Sequence, residues 1–316
     1  MLEELFKSRL IFVTGKGGVG KSTITSAMGI FFKSAGKRPL LVEFFPDKSI
    51  DHIFNIKADT YREIEINRDL LYFNISSADA LAEYIKRQLI LDVISRFVMN
   101  TKFYRYFSST APGLKELVSV GKLYDLEKKR DDNGQYLYDP IIVDAPQLGK
   151  FIPFIKTPQT IMNMFRIGPV KKEAERVNNL ILSNKCSVII VSTPDEMATT
   201  EALEAKKELQ EMGRPRIRAI VVNMSVSKKI KIMDAQYYKQ RVEKLSSMQT
   251  VNMPVMNALE RLMNYTKMEN RSIETMNKKV TDIPVYILPL IETPDNELFI
   301  AESLAGYFKG ISTEAM

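Results

Sequence analysis

The sequence predicts an α/β fold in which a doubly wound, mostly parallel sheet lies between helices. Seven short apolar segments rich in Ile, Val, Leu and Phe recur along the chain, with helical periodicity between them. Near-continuous hydrophobicity is typical of strands that are buried on both faces, as strands in parallel sheets are. The predicted strands are 10–14, 39–44, 70–75, 140–143, 187–192, 217–223 and 284–288. Such a sheet binds its ligand at the carboxyl ends of its strands.

Helical periodicity predicts a helix after the first strand and a helix at the end of the chain, with further helices between. The predicted helices are 22–35, 78–99, 198–211 and 296–309. Gly36 and Gly213 are expected to follow the ends of two of them, since glycine readily adopts the left-handed conformation found there. Two stretches, about 78–129 and 225–280, are too long for simple crossovers and are predicted to be helical insertions in one domain, 1–316.

Composition places the chain among ordinary globular proteins. It has 316 residues, of which 45% are hydrophobic and 26% charged. No apolar run is long enough to cross a membrane, and the acidic start lacks the apolar core of a signal peptide, so we expect a cytoplasmic protein. The single cysteine, Cys186, and single histidine, His52, argue against a disulfide framework and against zinc bound within one chain.

The formal net charge is +7, and part of the excess is concentrated in one stretch. Residues 206–244 carry eleven Lys or Arg against four Asp or Glu. Such a stretch fits either a solvated helix face, which we favour, or an acidic partner, an anionic membrane surface or nucleic acid. Nucleic acid is not the expected partner, and any membrane contact is expected to be peripheral.

A glycine-rich loop follows the first predicted strand, and residues 15–23 read Gly-Lys-Gly-Gly-Val-Gly-Lys-Ser-Thr. The glycines allow backbone N–H groups to curl around phosphate oxygens, and the next helix presents its positive N-terminus to them. Lys21 holds the position that reaches the β- and γ-phosphates, and Ser22 the position that binds Mg²⁺. The predicted cofactor-binding residues of the loop are Gly15, Lys16, Gly17, Gly18, Val19, Gly20, Lys21, Ser22 and Thr23. The fold class is therefore predicted as a P-loop NTPase.

A second motif is an aspartate at the end of the strand 140–143. Asp144 precedes Ala145 and Pro146. Strand-end aspartates are often turn formers or helix caps. Beside a phosphate loop, an aspartate can instead orient Mg²⁺ through water, so Ser22 and Asp144 are the predicted metal residues.

Lys16, directly after the first glycine, makes the loop resemble that of the deviant phosphate-loop ATPases. These include the arsenite-pump and tail-anchored-protein-targeting ATPases, the Min and Par ATPases and the nitrogenase iron protein. In those families the lysine crosses a dimer interface to the nucleotide of the other subunit. The resemblance implies ATP or ADP with Mg²⁺, a homodimer or a heterodimer with a paralogous ATPase, and a catalytic role for Lys16. The alternative is a solvated loop lysine.

Further motifs resemble the arsenite-pump and tail-anchored-targeting branch specifically. Residues 144–150 read Asp-Ala-Pro-Gln-Leu-Gly-Lys, similar to its switch II, and residues 110–113 read Thr-Ala-Pro-Gly, similar to a segment ahead of that strand. Asn223 matches the asparagine that reads adenine in the family, and Pro289 and Leu290 match a loop that closes over the base. The resemblance covers roughly the whole chain.

Three features depart from that family's pattern. The switch I aspartate, which precedes a proline and positions the attacking water, is replaced by Phe45 before Pro46. Phenylalanine can neither accept a proton nor orient water, so hydrolysis would need Glu43 or Asp47 to take over. Asp47 is our predicted catalytic residue together with Lys16 and Asp144. Lys150 replaces the switch II histidine. The paired cysteines that hold interfacial zinc are absent, so no zinc is expected.

The sequence thus predicts a dimeric ATPase that couples its nucleotide state to an unknown protein client. One alternative is a subunit that binds ATP without cleaving it, paired with a paralogue. The other is a Par-like or Min-like ATPase. Eight of the sixteen methionines fall between 224 and 276, a pattern that fits either an adaptable client surface or core.

Overall fold

The protein forms an eight-stranded sheet with helices on both faces. The computed structural model describes residues 7–57, 59–91, 113–213, 215–229, 253–293 and 296–313. The strands are β1 Leu10–Gly15, β2 Leu40–Phe44, β3 Glu63–Asn67, β4 Leu70–Ile75, β5 Ile141–Asp144, β6 Cys186–Ser192, β7 Arg216–Ser225 and β8 Val285–Pro289. Their order is β3-β4-β2-β5-β1-β6-β7-β8, and every neighbouring pair is parallel except β3 with β4. The predicted mostly parallel α/β sheet is confirmed.

The helices connect the strands and cover the sheet. They are α1 Lys21–Ser34, α2 Ser49–Phe54, α3 Ser77–Leu91, α4 Leu114–Lys128, α5 Leu148–Met164, α6 Pro169–Ile181, α7 Glu196–Glu211, α8 Val226–Lys229, α9 Met253–Lys279 and α10 Glu297–Thr313. Gly36 and Gly213 follow the ends of α1 and α7 with φ of 76° and 74°, as predicted.

Two apolar cores lie on opposite faces of the sheet. One contains residues of α1, α2 and α10, including Phe31 and Phe308, whose ring centroids are 6.2 Å apart. The other contains residues of α3 to α7 and the end of α9, among them Leu117, Phe151 and Met276. Burial on both faces explains why the parallel strands read as continuous apolar segments.

The sequence-based prediction lacked β3, α2, α5 and α6. The strand β3 alternates exposed residues with the partly buried Ile64 and Ile66, because it is an edge strand with one covered face. Helix α5 contains Pro153 and Pro158, and a proline inside a helix argues against helix in a sequence pattern.

The described parts of the two predicted insertions are helical. They comprise α3, α4, α8 and α9, while residues 92–112 and 230–252 lie outside the described residues, including most of the Thr-Ala-Pro-Gly segment. Two methionines of α9 differ in burial: Met276 is buried in a core, whereas Met268 is exposed. The single-domain division and the insertion boundaries stay predictions.

No helix in the described part of the chain is long and apolar enough to cross a membrane.

The end of β1 approaches β6 so closely that only glycine fits there. A Cβ on Gly15 would lie 2.2 Å from the carbonyl oxygen of Val191 and 2.9 Å from Cγ2 of Val19. The carbonyl belongs to the sheet backbone, so it cannot move aside without breaking strand pairing. This close approach fixes where the following loop leaves the sheet.

Replacing Gly15 by alanine is therefore expected to lower the free energy of unfolding by about 3 kcal/mol, because the added methyl overlaps backbone. Urea unfolding followed by circular dichroism measures the change. The matched control is Gly306→Ala in α10, where an added Cβ meets nothing within 4 Å. That control should gain about 0.5–1 kcal/mol, since alanine favours helix. Equal stabilities of the two variants would contradict the close approach.

Candidate phosphate-binding site

The glycine-rich loop lies at the carboxyl end of β1, in the middle of the sheet between β5 and β6. Gly18 and Gly20 have φ of 81° and 86°, the left-handed region that non-glycine residues rarely occupy. Gly20 is the N-cap of α1 and has no side chain to satisfy the first N–H groups of that helix. The first turn of α1 also contains no acidic residue. Free N–H groups at a helix N-terminus attract anions, so this end of α1 suits phosphate.

Lys21 adds a cation to the same place. Its Nζ donates to the backbone oxygen of Lys16 at 3.2 Å, so the ammonium folds back over the loop. Burial lowers the pKa of Lys21, while the charges of Asp144 and Asp47 act in the opposite direction. A partly buried ammonium beside free N–H groups would be further stabilised by a bound phosphate.

Ser22 and Asp144 meet at the opening of the loop. The Ser22 hydroxyl donates to Oδ2 of Asp144 at 2.5 Å. The other carboxylate oxygen, Oδ1, is buried and has no hydrogen-bond partner in the structure. Burial raises the pKa of Asp144 to about 6, against the opposing effects of Ser22 and Lys21. An orphaned carboxylate oxygen next to a serine hydroxyl fits the oxygen-only preference of Mg²⁺.

Clusters of three or more His, Cys, Asp or Glu side chains able to hold a metal do not occur among the residues that the structure describes. Magnesium does not need such a cluster, because it usually keeps waters and binds one or two protein ligands plus substrate phosphates.

The two acids proposed to replace the switch I aspartate have different surroundings. Glu43 is 1% exposed and accepts hydrogen bonds from Tyr72, from the backbone N–H of Ile50 at 3.2 Å and from Asn74 at 3.3 Å. Burial raises the pKa of Glu43 to about 7. The carboxyl group of Glu43 is therefore held inside the fold by hydrogen bonds from neighbouring residues.

Asp47 lies on the exposed loop after β2. Its charge acts on both Lys21 and Asp144, so Asp47 lies within electrostatic reach of both groups. Both backbone groups of Asp47 are hydrogen-bonded. Its N–H donates to the Phe44 carbonyl at 3.0 Å, and its carbonyl accepts from the Asn74 side chain at 2.8 Å. Phe45 is 50% exposed on the same loop. Of the two acids, Asp47 is the one free to meet a ligand.

Lys16 does not extend into solvent. Its Nζ lies 3.1 Å from Oε1 of Glu201 on α7, and the two side chains are 30% and 41% exposed. Against the opposing effect of burial, hydrogen bonds from the Ala198 N–H and the Thr193 hydroxyl, with a smaller effect of the Lys16 charge, lower the pKa of Asp195. Lys16 is therefore paired within its own chain.

Asn223 contacts the loop from the end of β7. Its amide nitrogen donates to the carbonyl of Val19 at 3.1 Å, and a Cβ on Gly20 would lie 2.5 Å from that nitrogen. Pro289 ends β8 opposite Ser225, and the N–H of Leu290 donates to the Ser225 carbonyl at 3.0 Å. The structure thus brings Asn223 to the loop and places Pro289 and Leu290 beside the same strand end.

The switch II segment lies on the other side of the loop. The hydroxyl of Thr14 donates to the carbonyl of Pro146 at 2.7 Å, and a Cβ on Gly17 would lie 2.9 Å from Nε2 of Gln147. Lys150, at the histidine position, is exposed in the first turn of α5. The sequence analysis did not single out Thr14, Gln147 or Glu201. A single polar residue does not indicate which residue, distant in sequence, it will contact in the fold.

Comparison with known families decides the class of the protein. The profile of the family described as "Anion-transporting ATPase" matches residues 8–175, which include the loop, the switch I segment and the switch II segment. The chain belongs to the anion-transporting ATPase family. The predicted resemblance to this family is confirmed.

Individual relatives of this family agree with the match. ATPase BagA of Mycobacterium tuberculosis is 30% identical over 69% of this chain and 65% of its own length. A putative arsenical pump-driving ATPase 2 of Aquifex aeolicus is 24% identical over 68% of this chain and 79% of its own. ATPase asna-1 of Caenorhabditis elegans is 25% identical over 49% of this chain and 46% of its own. The chain spans just under two thirds of the length of ATPase BagA.

The environment of Glu43 makes stability depend on pH. Its pKa of about 7 in the fold lies above the ordinary 4.5, so the folded state binds the proton more tightly. This contribution to stability is fully present below about pH 4.5 and is lost as the pH rises through about 7, up to about 3 kcal/mol in all. Asp144 acts with the same sign up to about pH 6.

Glu43→Gln should therefore gain stability relative to the unaltered protein as the pH rises from 4.5 to 8. Urea unfolding across this range measures the difference. The control is Glu65→Gln on β3, whose side chain is exposed and whose difference should stay constant. A difference for Glu43→Gln that does not change with pH would contradict the buried carboxyl.

Proposed function

We propose that this chain binds Mg-ATP at the loop 15–23 and hydrolyses it as a dimeric switch protein. The observation that carries the proposal is the meeting of three groups at one point: the uncapped N-terminus of α1, Lys21, and the Ser22–Asp144 pair with its orphaned oxygen. Each of these groups suits a phosphate or a magnesium ion, and family membership supports the same ligand.

The phosphate chain would be held by the N–H groups of the first turn of α1 and by the Lys21 ammonium. Ser22 and Asp144 would hold Mg²⁺, the serine directly and the aspartate through water. When bound, Mg²⁺ supplies positive charge that offsets the negative charge of the β- and γ-phosphates. Asn223, Pro289 and Leu290 would border the adenine.

Hydrolysis requires a water in line with the γ-phosphate. Asp47 is exposed on the switch I loop and acts electrostatically on Lys21 and Asp144, so its carboxylate can orient that water and accept its proton. The water oxygen forms a bond to γ-phosphorus as the bond to the β–γ bridging oxygen breaks, giving ADP and inorganic phosphate. Glu43 is excluded from this role by its own buried donors.

A second candidate function is a nucleotide-binding subunit without hydrolysis, which would pair with a paralogue carrying a complete active site. Phe45 in place of an acid before Pro46 favours it. Both functions share the ATP site, and both fit a cytoplasmic protein. The client is not assigned: four of the relatives are named as arsenical pump-driving ATPases, whereas the single cysteine of this chain, Cys186, is buried in β6.

Lys21→Ala is expected to weaken binding of Mg-ATP at least 100-fold, because it removes the cation nearest the phosphates. Isothermal titration calorimetry measures the affinity. Lys172→Ala, at an exposed lysine of α6, is the control and should bind as the unaltered chain does. No heat from the unaltered chain with magnesium and ATP would refute the proposed function.

Asp47→Asn should lower the hydrolysis rate about 100-fold or more while leaving the ATP affinity within a few-fold, since asparagine cannot accept a proton. Phosphate release per mole of protein is the measurement. The matched control is Asp59→Asn, an exposed acid whose partner is Arg62. Tight binding by the unaltered chain with phosphate release no faster than background would favour the subunit that does not hydrolyse.

Glu201→Gln is expected to favour the Mg-ATP-bound dimer by up to about fivefold, because it releases Lys16 from a partly exposed ion pair. Lys16→Ala should abolish the nucleotide-dependent dimer. Sedimentation velocity with a slowly hydrolysed ATP analogue reports both. The control, Glu204→Gln, changes an exposed acid one turn further along α7 and should leave dimerisation unchanged. Tighter association of that control than of Glu201→Gln would count against a trans role for Lys16.

A further inference from the structure

A buried carboxylate on helix α9 is hydrogen-bonded to residues at the carboxyl end of β7. Glu269 is 1% exposed, although it lies on a helix that is otherwise largely solvent-facing in its described residues. It accepts from the backbone N–H of Ser227 at 2.9 Å and of Val226 at 3.2 Å, and from the Ser225 hydroxyl at 3.4 Å. A buried carboxylate is costly unless it is hydrogen-bonded, so these donors hold the two elements together.

The strand end that Glu269 holds is the one that contacts the phosphate loop. Asn223 donates to Val19, and Cε of Met224 would lie 3.2 Å from a Cβ on Gly20. Met224 itself has φ of 61°, a conformation that costs energy for a residue other than glycine. A strained residue persists when its neighbours hold it from both sides. Here Asn223 is held by the loop, and Ser225 by α9.

Ser225, the residue after Met224, also contacts the segment after β8. The N–H of Leu290 donates to Ser225 O at 3.0 Å, while the Ser225 hydroxyl contacts Glu269. Ser225 therefore joins three elements: the end of β7, the segment after β8 and helix α9. One residue, Met224, separates the residue that contacts the Glu269 carboxylate, Ser225, from Asn223, whose amide contacts the loop.

A second contact extends this connection to the surface. Tyr265, one turn before Glu269 on α9, is half exposed, and burial together with the nearby charge of Glu269 raises the pKa of its hydroxyl. It lines an open groove of about 690 Å³ between α7 and α9. Glu269 therefore lies between the end of β7 and Tyr265, which lines the groove.

We propose that Glu269 is a positioning residue that fixes the strand end 223–225 over the nucleotide and transmits nucleotide occupancy to α9. This rests on the proposed ATP site. A nucleotide that touches Asn223 and the segment after β8 stabilises the strand end, and the Glu269 hydrogen bonds carry that stabilisation to α9. By linkage, a change at α9 that weakens the Glu269 hydrogen bonds also lowers the affinity for the nucleotide.

The test is hydrogen exchange and calorimetry on the full chain with Mg-ADP and with a slowly hydrolysed ATP analogue. In the unaltered protein, nucleotide should slow amide exchange in residues 257–279. Glu269→Gln should weaken nucleotide binding about tenfold and abolish that slowing. Tyr265→Phe, which removes only the hydroxyl near Glu269, should shift both readouts in the same direction by a smaller amount. The control is Glu260→Gln, an exposed acid on the same helix.

A Glu269→Gln protein that binds nucleotide as tightly as the unaltered chain and retains full slowing in α9 would overturn the inference. If the unaltered chain did not bind either nucleotide, that result would instead refute the ATP site. The positioning role then has its own readout: without nucleotide, Glu269→Gln should speed exchange at residues 223–227, and unchanged exchange there would overturn it. Far-ultraviolet circular dichroism verifies that each variant is folded.

Discussion

The close approach of β1 to β6 is the constraint on which the site depends. Because the Gly15 position abuts the Val191 carbonyl, the chain leaves the sheet at one fixed point and enters α1 without a capping side chain. The parallel neighbours β5, β6 and β7 end at the same edge, so Asp144 and Asn223 come to the loop from strands that are distant in sequence. One edge of the sheet therefore collects every group that the proposed nucleotide needs.

The electrostatics of this edge balance cations against partly neutralised acids. Lys21 and the helix N-terminus attract negative charge, while burial raises the pKa values of both Asp144 and Glu43. Glu43 accepts hydrogen bonds inside the fold, including one from the backbone N–H of Ile50, whereas Asp47 is exposed. The two acids, four residues apart, therefore differ chiefly in burial.

Two contacts lead from the loop to the helices. Lys16 pairs with Glu201 on α7, and the strand end that carries Asn223 is held by Glu269 on α9. These helices border one groove. A change in the loop therefore has a route to both walls of that groove through hydrogen bonds and one ion pair. The α7 contact is partly exposed and weak, whereas the α9 contact is buried, so the second is the firmer connection.

The sequence by itself determined the parallel sheet, the phosphate loop and the Asp144 strand end, because each is a local pattern: continuous apolar strands, glycines at fixed spacing, a carboxylate directly after a strand. It did not reveal β3 or α5, since an edge strand covered on one face and a helix with two prolines break the usual patterns. Only the tertiary structure decided which acid is free, that Lys16 pairs with Glu201, and that Glu269 holds the end of β7. Those facts depend on burial and on side chains brought together over long sequence separations, and such contacts leave no trace in local residue order.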